Sequence, residues 1–308
     1  MDGANRVVCW TADFDRDGDT TERLRRIVDR SLTKRHEDSR EDVAIGETVL
    51  AAGSRLSPWD IGMLAALGVA AVPVARAPRV ALIATGDELV DVLATPEPGQ
   101  LVDSSVHALA ALVAEAGGVA DRLGISRDDL VSLADRFAAS LGYDVVITTG
   151  GVSVGDRDYV REALTAAGIT LELYKIAMKP GKPFSFGMRP GLRPTPVFGL
   201  PGNPVSTVGA FELFLRPALL AMQGATVVER RQATVRVAGG YRKQAGRAHY
   251  LRAHLARDGE QLIATPHPKQ GSAILSSLVG CNALVVIGAE VTELSPGAPA
   301  PAILLEAV

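Results

Sequence analysis

The chain has 308 residues, 47% apolar and 22% charged, an ordinary globular composition long enough to bury two or three separate cores. Its 32 Lys and Arg against 35 Asp and Glu leave a net charge of −3, which excludes a global nucleic-acid-binding surface but says nothing about a local cationic pocket. Two distant cysteines, Cys9 and Cys281, and five scattered histidines (His36, His107, His249, His254, His267) give neither a disulfide framework nor a metal-ligand spacing.

The opening stretch, MDGANRVVCWTADFD, is acidic and lacks the apolar core of a secretory signal. Residues 15 to 42 are dense in both charges, with a weakly amphipathic piece around Leu24, Ile27 and Val28, and read as an exposed helix or a partly disordered segment. Ser57-Pro58 marks a helix start and Gly68 its stop. The most apolar run, residues 61 to 75, is too short and too broken by Gly and Pro to span a bilayer, so a cytosolic protein without a membrane segment is expected.

From Arg79 the pattern alternates. RVALIATG reads as a strand, SSVHALAALVAEAGG as a helix capped by Ser104 or Ser105, and VADRLGI as a strand. SRDDLVSLADRFAASLG is a second capped helix, DVVITTGG a buried strand and RDYVREALTAAG a third helix. LELYKIAMKPGKPFSFG looks like an inserted hairpin, and TPVFGLPGNP a strand and turn before the long apolar helix VSTVGAFELFLRPALLAM. Strands alternating with helices of this length predict a mostly parallel sheet sandwiched by helices, an α/β domain over residues 79–224. ATVRVAGG, HYLRAHLAR, QLIATPH, AILSS, ALVVIGA and AILLEAV are short β-rich runs, and predict a small all-β C-terminal domain over 225–308. Residues 1–78 make a short N-terminal and linker region.

Ligands of an open parallel sheet bind beyond the carboxyl ends of its strands, and four motifs fall there. They are TGDE (Thr85, Gly86, Asp87, Glu88), TTGGVSVGDRD (148–158), KPGKP (179–183) and GLPGNP (199–204). Gly150 and Gly151 permit a sharp turn that exposes amides to an anion, and Ser153 offers a hydroxyl. Asp156 and Asp158 open the next helix, where carboxylates also suit the helix dipole. Lys175, Lys179 and Lys182 straddle a proline-stiffened turn around Gly181, an arrangement suited to fixed positive charge aimed at phosphate. Asp87, Glu88 and Asp103 supply hard oxygens of the kind hydrated Mg²⁺ uses. Together these residues point to a phosphate-bearing or nucleotide ligand with a metal, although neither a P-loop nor a GxGxxG fingerprint is present.

TGDEL, GGVSVGDRDY, KPGKPF and GLPGNPVS, in this order and spacing, resemble the molybdopterin molybdenumtransferases of the MoeA type, which include the C-terminal enzyme domain of gephyrin. The resemblance runs from about Glu41 to Val308. The related molybdopterin adenylyltransferases carry a GGTG turn where this chain has Gly150-Gly151-Val152-Ser153. The resemblance implies insertion of molybdate into adenylylated molybdopterin with release of AMP, Mg²⁺ as cofactor, and a cytoplasmic homodimer with no nucleic-acid or membrane partner. It implies catalytic roles for Glu88, Asp128, Asp158, Lys175 and Lys179. It implies substrate contacts from Thr85, Gly86, Asp103, Gly150, Gly151, Ser153, Gly181, Lys182, Pro201, Gly202, Asn203, Pro204 and Ser272. Asp2 and Asp42 match further acidic positions. The family's long N-terminal lobe has no clear counterpart over residues 4 to about 40, and Ser105 stands where the family has Asn. The N-terminal region is therefore read as truncated, and the alternative reading is a non-catalytic module that binds the pterin nucleotide or a partner.

Overall fold

The computed structural model of the chain describes residue 43, residues 47–150 and residues 159–306. Of these, the residues up to Pro78, Ala116–Gly118 and Pro217–Val228 form one compact unit. Arg79–Glu115, Val119–Arg216 and the residues from Glu229 onward form another. In the smaller unit, helix α1 (Pro58–Ala66) starts where the sequence predicts. The Ser57 hydroxyl accepts from the Asp60 amide (3.3 Å), the Asp60 carboxylate accepts from the Ser57 amide (2.7 Å), and Pro58 takes the first helical position. The Gln223 side chain donates to the carbonyls of Ala116 and Leu219, both at 2.8 Å, and the Thr226 amide donates to Gly53 O at 3.3 Å.

From Arg79 the elements run β1 (Arg79–Thr85), β2 (Leu89–Val90), β3 (Leu101–Val102), α2 (Ser105–Glu115), β4 (Val119–Ser126), α3 (Leu130–Ala139), β5 (Val145–Thr149) and α4 (Tyr159–Ala166). They continue with β6 (Thr170–Tyr174), β7 (Met178–Lys179), β8 (Ser185–Arg189), β9 (Thr195–Leu200), α5 (Pro204–Ala210), a π-helical turn (Phe211–Leu215) and α6 (Arg216–Met222). Six strands form one sheet in the order β4-β1-β5-β9-β8-β6. The first four are parallel, β8 pairs antiparallel with β9, and β6 pairs antiparallel with β8. The expected hairpin therefore exists, but it extends the edge of the sheet instead of interrupting it.

The reason for this sheet lies in its strands. Every residue of β5, and all of β1 after Arg79, is buried, as strands covered on both faces require. Leu133 and Phe137 of α3 and Ala163 and Leu164 of α4 pack on Ala81, Ile83, Val146 and Val197. The alternate residues Val80 and Leu82 point to the other face, which α2 covers with buried Leu109 and Val113. Each such fully buried aliphatic side chain contributes about 2 kcal/mol. Helix α3 is capped by Asp129, whose carboxylate accepts from Ser132 N at 2.8 Å. At α2 the cap differs from expectation: Asp103 Oδ1, not a serine hydroxyl, accepts the amides of Ser105 (3.0 Å) and Val106 (3.3 Å).

The C-terminal strands are β10 (Gln232–Val237), β11 (Tyr241–Arg242), β12 (Ala248–Asp258), β13 (Gln261–Pro266), β14 (Ala283–Ile287), β15 (Glu293–Leu294) and β16 (Pro299–Leu304). The order β13-β10-β16-β14-β12 closes on itself through pairing of β12 with β13, which makes a five-stranded barrel. Val235, Val237, Leu251, Ala253, Leu255, Val285 and Ala302 fill it. The run AILSS, expected as a strand, is instead a turn and a 3-10 helix (Leu275–Leu278). Strand β7, from the KPGKP segment, adds to the barrel by pairing in parallel with the start of β12, Met178 beside Ala248 and Lys179 beside His249.

The helical run Pro204–Met222 is apolar and long enough to cross a membrane, yet 56% of its apolar window is buried inside the protein. It also carries a buried carboxylate, Glu212, which accepts from Arg230 Nε at 2.9 Å. Arg230 further donates to Glu115 (2.7 Å) and to the Leu305 carbonyl (2.7 Å). These features belong to a core helix of a folded domain.

Candidate functional site

The carboxyl ends of β1, β5 and β9 bring three of the four motifs together. Thr85 ends β1 buried, and its hydroxyl donates to Thr149 O at 3.1 Å. Gly150 follows β5 at a φ of 85°, and its amide donates to Leu200 O at 3.1 Å. A Cβ at Gly150 would collide with the Thr85 carbonyl, so the TGDE and TGG turns touch only because this residue is glycine. Gly202 lies on the other side, where a Cβ would sit 3.5 Å from Gly150 Cα. Gly151, Ser153, Asp156 and Asp158 lie outside the described residues, as do Asp2 and Asp42.

The LPGNP turn is braced from within. The Thr207 hydroxyl donates to the carbonyls of Pro201 (2.5 Å) and Asn203 (3.1 Å), and Pro204 opens α5. From the C-terminal part of the chain, the Ser272 carbonyl accepts from Val205 N at 3.2 Å and its hydroxyl accepts from Asn203 Nδ2 at 3.3 Å. Ser272 and the LPGNP turn, 69 residues apart, are thus one local structure.

The KPGKP loop reaches the same place from its own side. Lys175 is held at a φ of 75°, with its amide donating to Phe184 O at 2.8 Å. Lys182 O accepts from Ile176 N at 3.0 Å, which ties the loop across its neck. Gly181 packs so that a Cβ would lie 3.6 Å from Ser206 O, and Pro180 lies against Gly209 of α5. Lys175, Lys179 and Lys182 are all exposed.

The acidic group is arranged differently from the expected trio of Asp87, Glu88 and Asp103. Asp87 Oδ1 accepts from Asp128 N at 3.2 Å. Partial burial, then the charges of Asp87 and Glu88, push the Asp128 carboxyl above the ordinary carboxylate range. The three carboxyls that feel one another are therefore Asp87, Glu88 and Asp128. Asp103 is only 4% exposed, and one oxygen caps α2. Its other oxygen, Oδ2, is buried without a hydrogen-bond partner. Among the described residues no group of three or more His, Cys, Asp or Glu side chains stands ready-made as a metal cluster.

One residue of this site escaped the sequence reading. Arg252 is 1% exposed on β12 and shares an apolar cleft with Met178, Pro180, Gly209 and Tyr250. Its Nε donates to Ser277 Oγ (2.8 Å), and its Nη2 donates to the carbonyls of Lys269 and Gly271 (both 3.1 Å), which shapes the loop carrying Ser272. Its Nη1 is buried and has no partner. Desolvation weakens its hold on the proton, an unusual setting for a guanidinium. The signal available was an arginine amid alternating apolar residues of a strand, Leu251 and Ala253 beside it and Leu255 beyond.

Comparison with known proteins bears on this arrangement. Residues 81–221 match the probable molybdopterin binding domain, and residues 234–305 match the MoeA C-terminal region, domain IV. The chain is 35% identical over 267 residues to molybdopterin molybdenumtransferase 2 of Mycobacterium tuberculosis, covering 84% of this chain and 64% of that protein. It is 39% identical over 181 residues to the molybdopterin molybdenumtransferase of a Nostoc species, covering 58% of this chain and 41% of that protein. The molybdopterin biosynthesis moeA protein of Pyrococcus horikoshii superposes with a TM-score of 0.72 at 30% identity, covering 83% of this chain and 61% of that one. The chain thus spans a little under two thirds of the length of the first of these relatives, and less of the second.

Proposed function

Because the chain belongs to the MoeA-type molybdopterin molybdenumtransferase family, we propose that it inserts molybdate into adenylylated molybdopterin and releases AMP. In this reading residues 79–224 bind the pterin nucleotide and 225–308 close the site. The protein works in the cytoplasm as a homodimer. The observation that supports the reading is the meeting of three separate turns with Ser272, through the close approach of Thr85, Gly150 and Gly202 and the bond from Asn203 to Ser272.

Each group has a physical task. The lysines at 175, 179 and 182 hold the phosphates beside the turns at Gly86 and Gly150, whose own amides are spent on Ser126 O and Leu200 O, and Arg252 Nη1 offers a desolvated donor to an oxyanion beside Ser272. Asp128 feels the charges of Asp87 and Glu88, which a divalent cation such as Mg²⁺ would relieve, although no ready-made cluster of three such side chains stands among the described residues. Asp87, Glu88, Asp128 and Asp103 are the carboxylates that would hold it, and it would supply electrostatic stabilisation for anhydride cleavage. Asp128, whose proton affinity partial burial and then its acidic neighbours raise, accepts the proton of the attacking water. Lys179 and Lys175 balance charge on the leaving phosphate. No protein thiol is required, because the dithiolene belongs to the substrate.

The decisive assay is incubation with adenylylated molybdopterin, molybdate and Mg²⁺, reading AMP. AMP release is expected. Its absence, under conditions where a longer relative turns over, overturns the assignment. Light scattering after size exclusion reports the dimer.

A further inference from the structure

The loop that carries Ser272 leaves the barrel at a break in the ladder between β12 and β13. Their antiparallel register, with Ala253 beside Pro266, sets Arg252 opposite His267. A hydrogen-bonded pair in such a ladder exchanges two bonds, N–H to C=O in each direction. One is direct, from His267 N to Arg252 O at 2.8 Å. The other is made through a side chain. Gln270 Oε1 accepts from Arg252 N at 3.2 Å, and Gln270 Nε2 donates to His267 O at 2.8 Å and to Arg252 O at 2.9 Å. The carboxamide is thus inserted in the ladder as a peptide group would be. Its orientation follows from its partners, because the reverse one would set its oxygen against two carbonyls. Pro266 and Pro268, on either side of His267, have no N–H with which to carry the ladder further.

Arg252 returns the grip. Its Nη2 donates to the carbonyls of Lys269 and Gly271, the two residues that flank Gln270, both at 3.1 Å. Its Nε donates to Ser277 Oγ at 2.8 Å, at the far end of the same loop. The main chain of Arg252 is therefore held by a side chain of the loop, and the main chain of the loop by the side chain of Arg252. A closed ring of this kind fixes both partners at once. What it leaves over belongs to the site. Arg252 Nη1 is buried without a partner in the cleft it shares with Met178, Pro180 and Gly209. Ser272, two residues beyond Gln270, is bonded to Val205 N and to Asn203 Nδ2.

We infer that Gln270 is a positioning residue of the site, which from within the barrel ladder sets Arg252 Nη1 and Ser272 relative to one another. Gln270 itself meets no substrate, since both ends of its carboxamide are spent on main chain. Asn282 provides the contrast. Its side chain does the same for Leu255, Oδ1 accepting from Leu255 N at 2.6 Å and Nδ2 donating to Leu255 O at 2.9 Å. Leu255, however, belongs to the barrel core. One device thus serves the core at Asn282 and the site at Gln270. The inference rests on the proposed use of Arg252 and Ser272, and concerns their placement rather than turnover.

The test uses the full chain, with molybdate binding read by calorimetry and folding by circular dichroism. Gln270→Met keeps the length of the side chain and removes all three bonds, and its molybdate affinity should fall about fivefold or more. Added to Arg252→Met, the same change should cost less than about twofold, since Gln270 acts through Arg252. Asn282→Leu should lower the urea midpoint yet bind molybdate within about twofold of wild type. Gln270→Glu gives a pH signature. Its carboxylate would turn acceptors onto the carbonyls of Arg252 and His267, whereas the protonated acid donates and accepts as the carboxamide does, and those carbonyls favour the protonated form. Its loss of affinity relative to wild type should shrink about threefold or more from pH 8 to pH 5.5, while that of Gln270→Met stays constant. Where Gln270→Met is unfolded, the comparison of Gln270→Glu at the two pH values decides. Wild-type affinity in Gln270→Met, a fully additive loss in the double variant, or a pH-independent loss in Gln270→Glu overturns the inference. So does an equal loss in Asn282→Leu, or a wild type that binds no molybdate. AMP release by the wild type and by Gln270→Met at equal kcat refutes the positioning role and spares the enzymatic reading. The expected affinities without AMP release do the reverse.

Discussion

Gly150→Ala tests whether the turns truly meet. At a φ of 85° an alanine carries the left-handed penalty of about 1–2 kcal/mol. Its methyl group would also overlap the Thr85 carbonyl, with Thr85 Oγ1 only 3.0 Å away. Forcing backbone apart in a packed region costs a further 1–3 kcal/mol, roughly. Gly142 supplies the control, since it has nearly the same φ of 84° but nothing within 4 Å of where an alanine methyl would sit. Gly142→Ala should therefore lose about 1 kcal/mol and Gly150→Ala about 3 kcal/mol, the difference being the collision alone. Urea denaturation followed by circular dichroism reads both, and at a slope of about 2 kcal/mol/M the two midpoints differ by about 1 M. The AMP assay should show loss of activity in Gly150→Ala only. Equal midpoints for the two variants would refute the close approach of β1 and β5, and with it the shared site.

Arg252→Met keeps an apolar stem but removes the unpartnered donor, and molybdate affinity measured by calorimetry should fall about tenfold or more. Arg230→Met strands the buried Glu212 carboxylate and should cost about 3 kcal/mol in urea denaturation, with part of the loss recovered when Glu212→Gln is added. His249 is held at about 4, below the usual value of 6.5. A depressed base contributes stability that is present above the unfolded value and is lost as pH falls through the folded one. The thermal midpoint should therefore drop between pH 6.5 and 4, and drop less in His249→Gln. Mg²⁺ should raise the thermal midpoint of the wild type, with little effect on Asp128→Asn.

The alternation of buried strands and amphipathic helices was legible because RVALIAT and VVITT are continuous apolar runs, and a parallel sheet leaves no other place for them. The Ser57 cap and the site turns were legible because Gly, Pro and Asn act locally. What stayed hidden depends on distant partners. Barrel closure needs β12 to find β13 and β14 at once, which no local pattern records. AILSS has strand composition, but Ser277 turns its hydroxyl to Ile274 O and to Arg252, and the chain curls into a 3-10 turn. Strand β7 has two residues, too few to show a period, and a proline follows. Asp103 could be read as a ligand, but its cap on α2 became visible only with the amides of Ser105 and Val106 in place. Arg252 was overlooked because an arginine in a strand is ordinarily a surface residue.

Grafting β7 onto the barrel has a practical corollary. The loop bearing Lys179 is clamped by two differently built bodies, the antiparallel edge of a mixed sheet at its ends and a barrel along its crest. A gene cut between residues 224 and 225 would yield two fragments, each impaired in its own way. The barrel fragment would expose a raw ridge at Ala248–His249 that invites pairing with foreign chains, while the sheet fragment would carry a lysine with nothing to aim it.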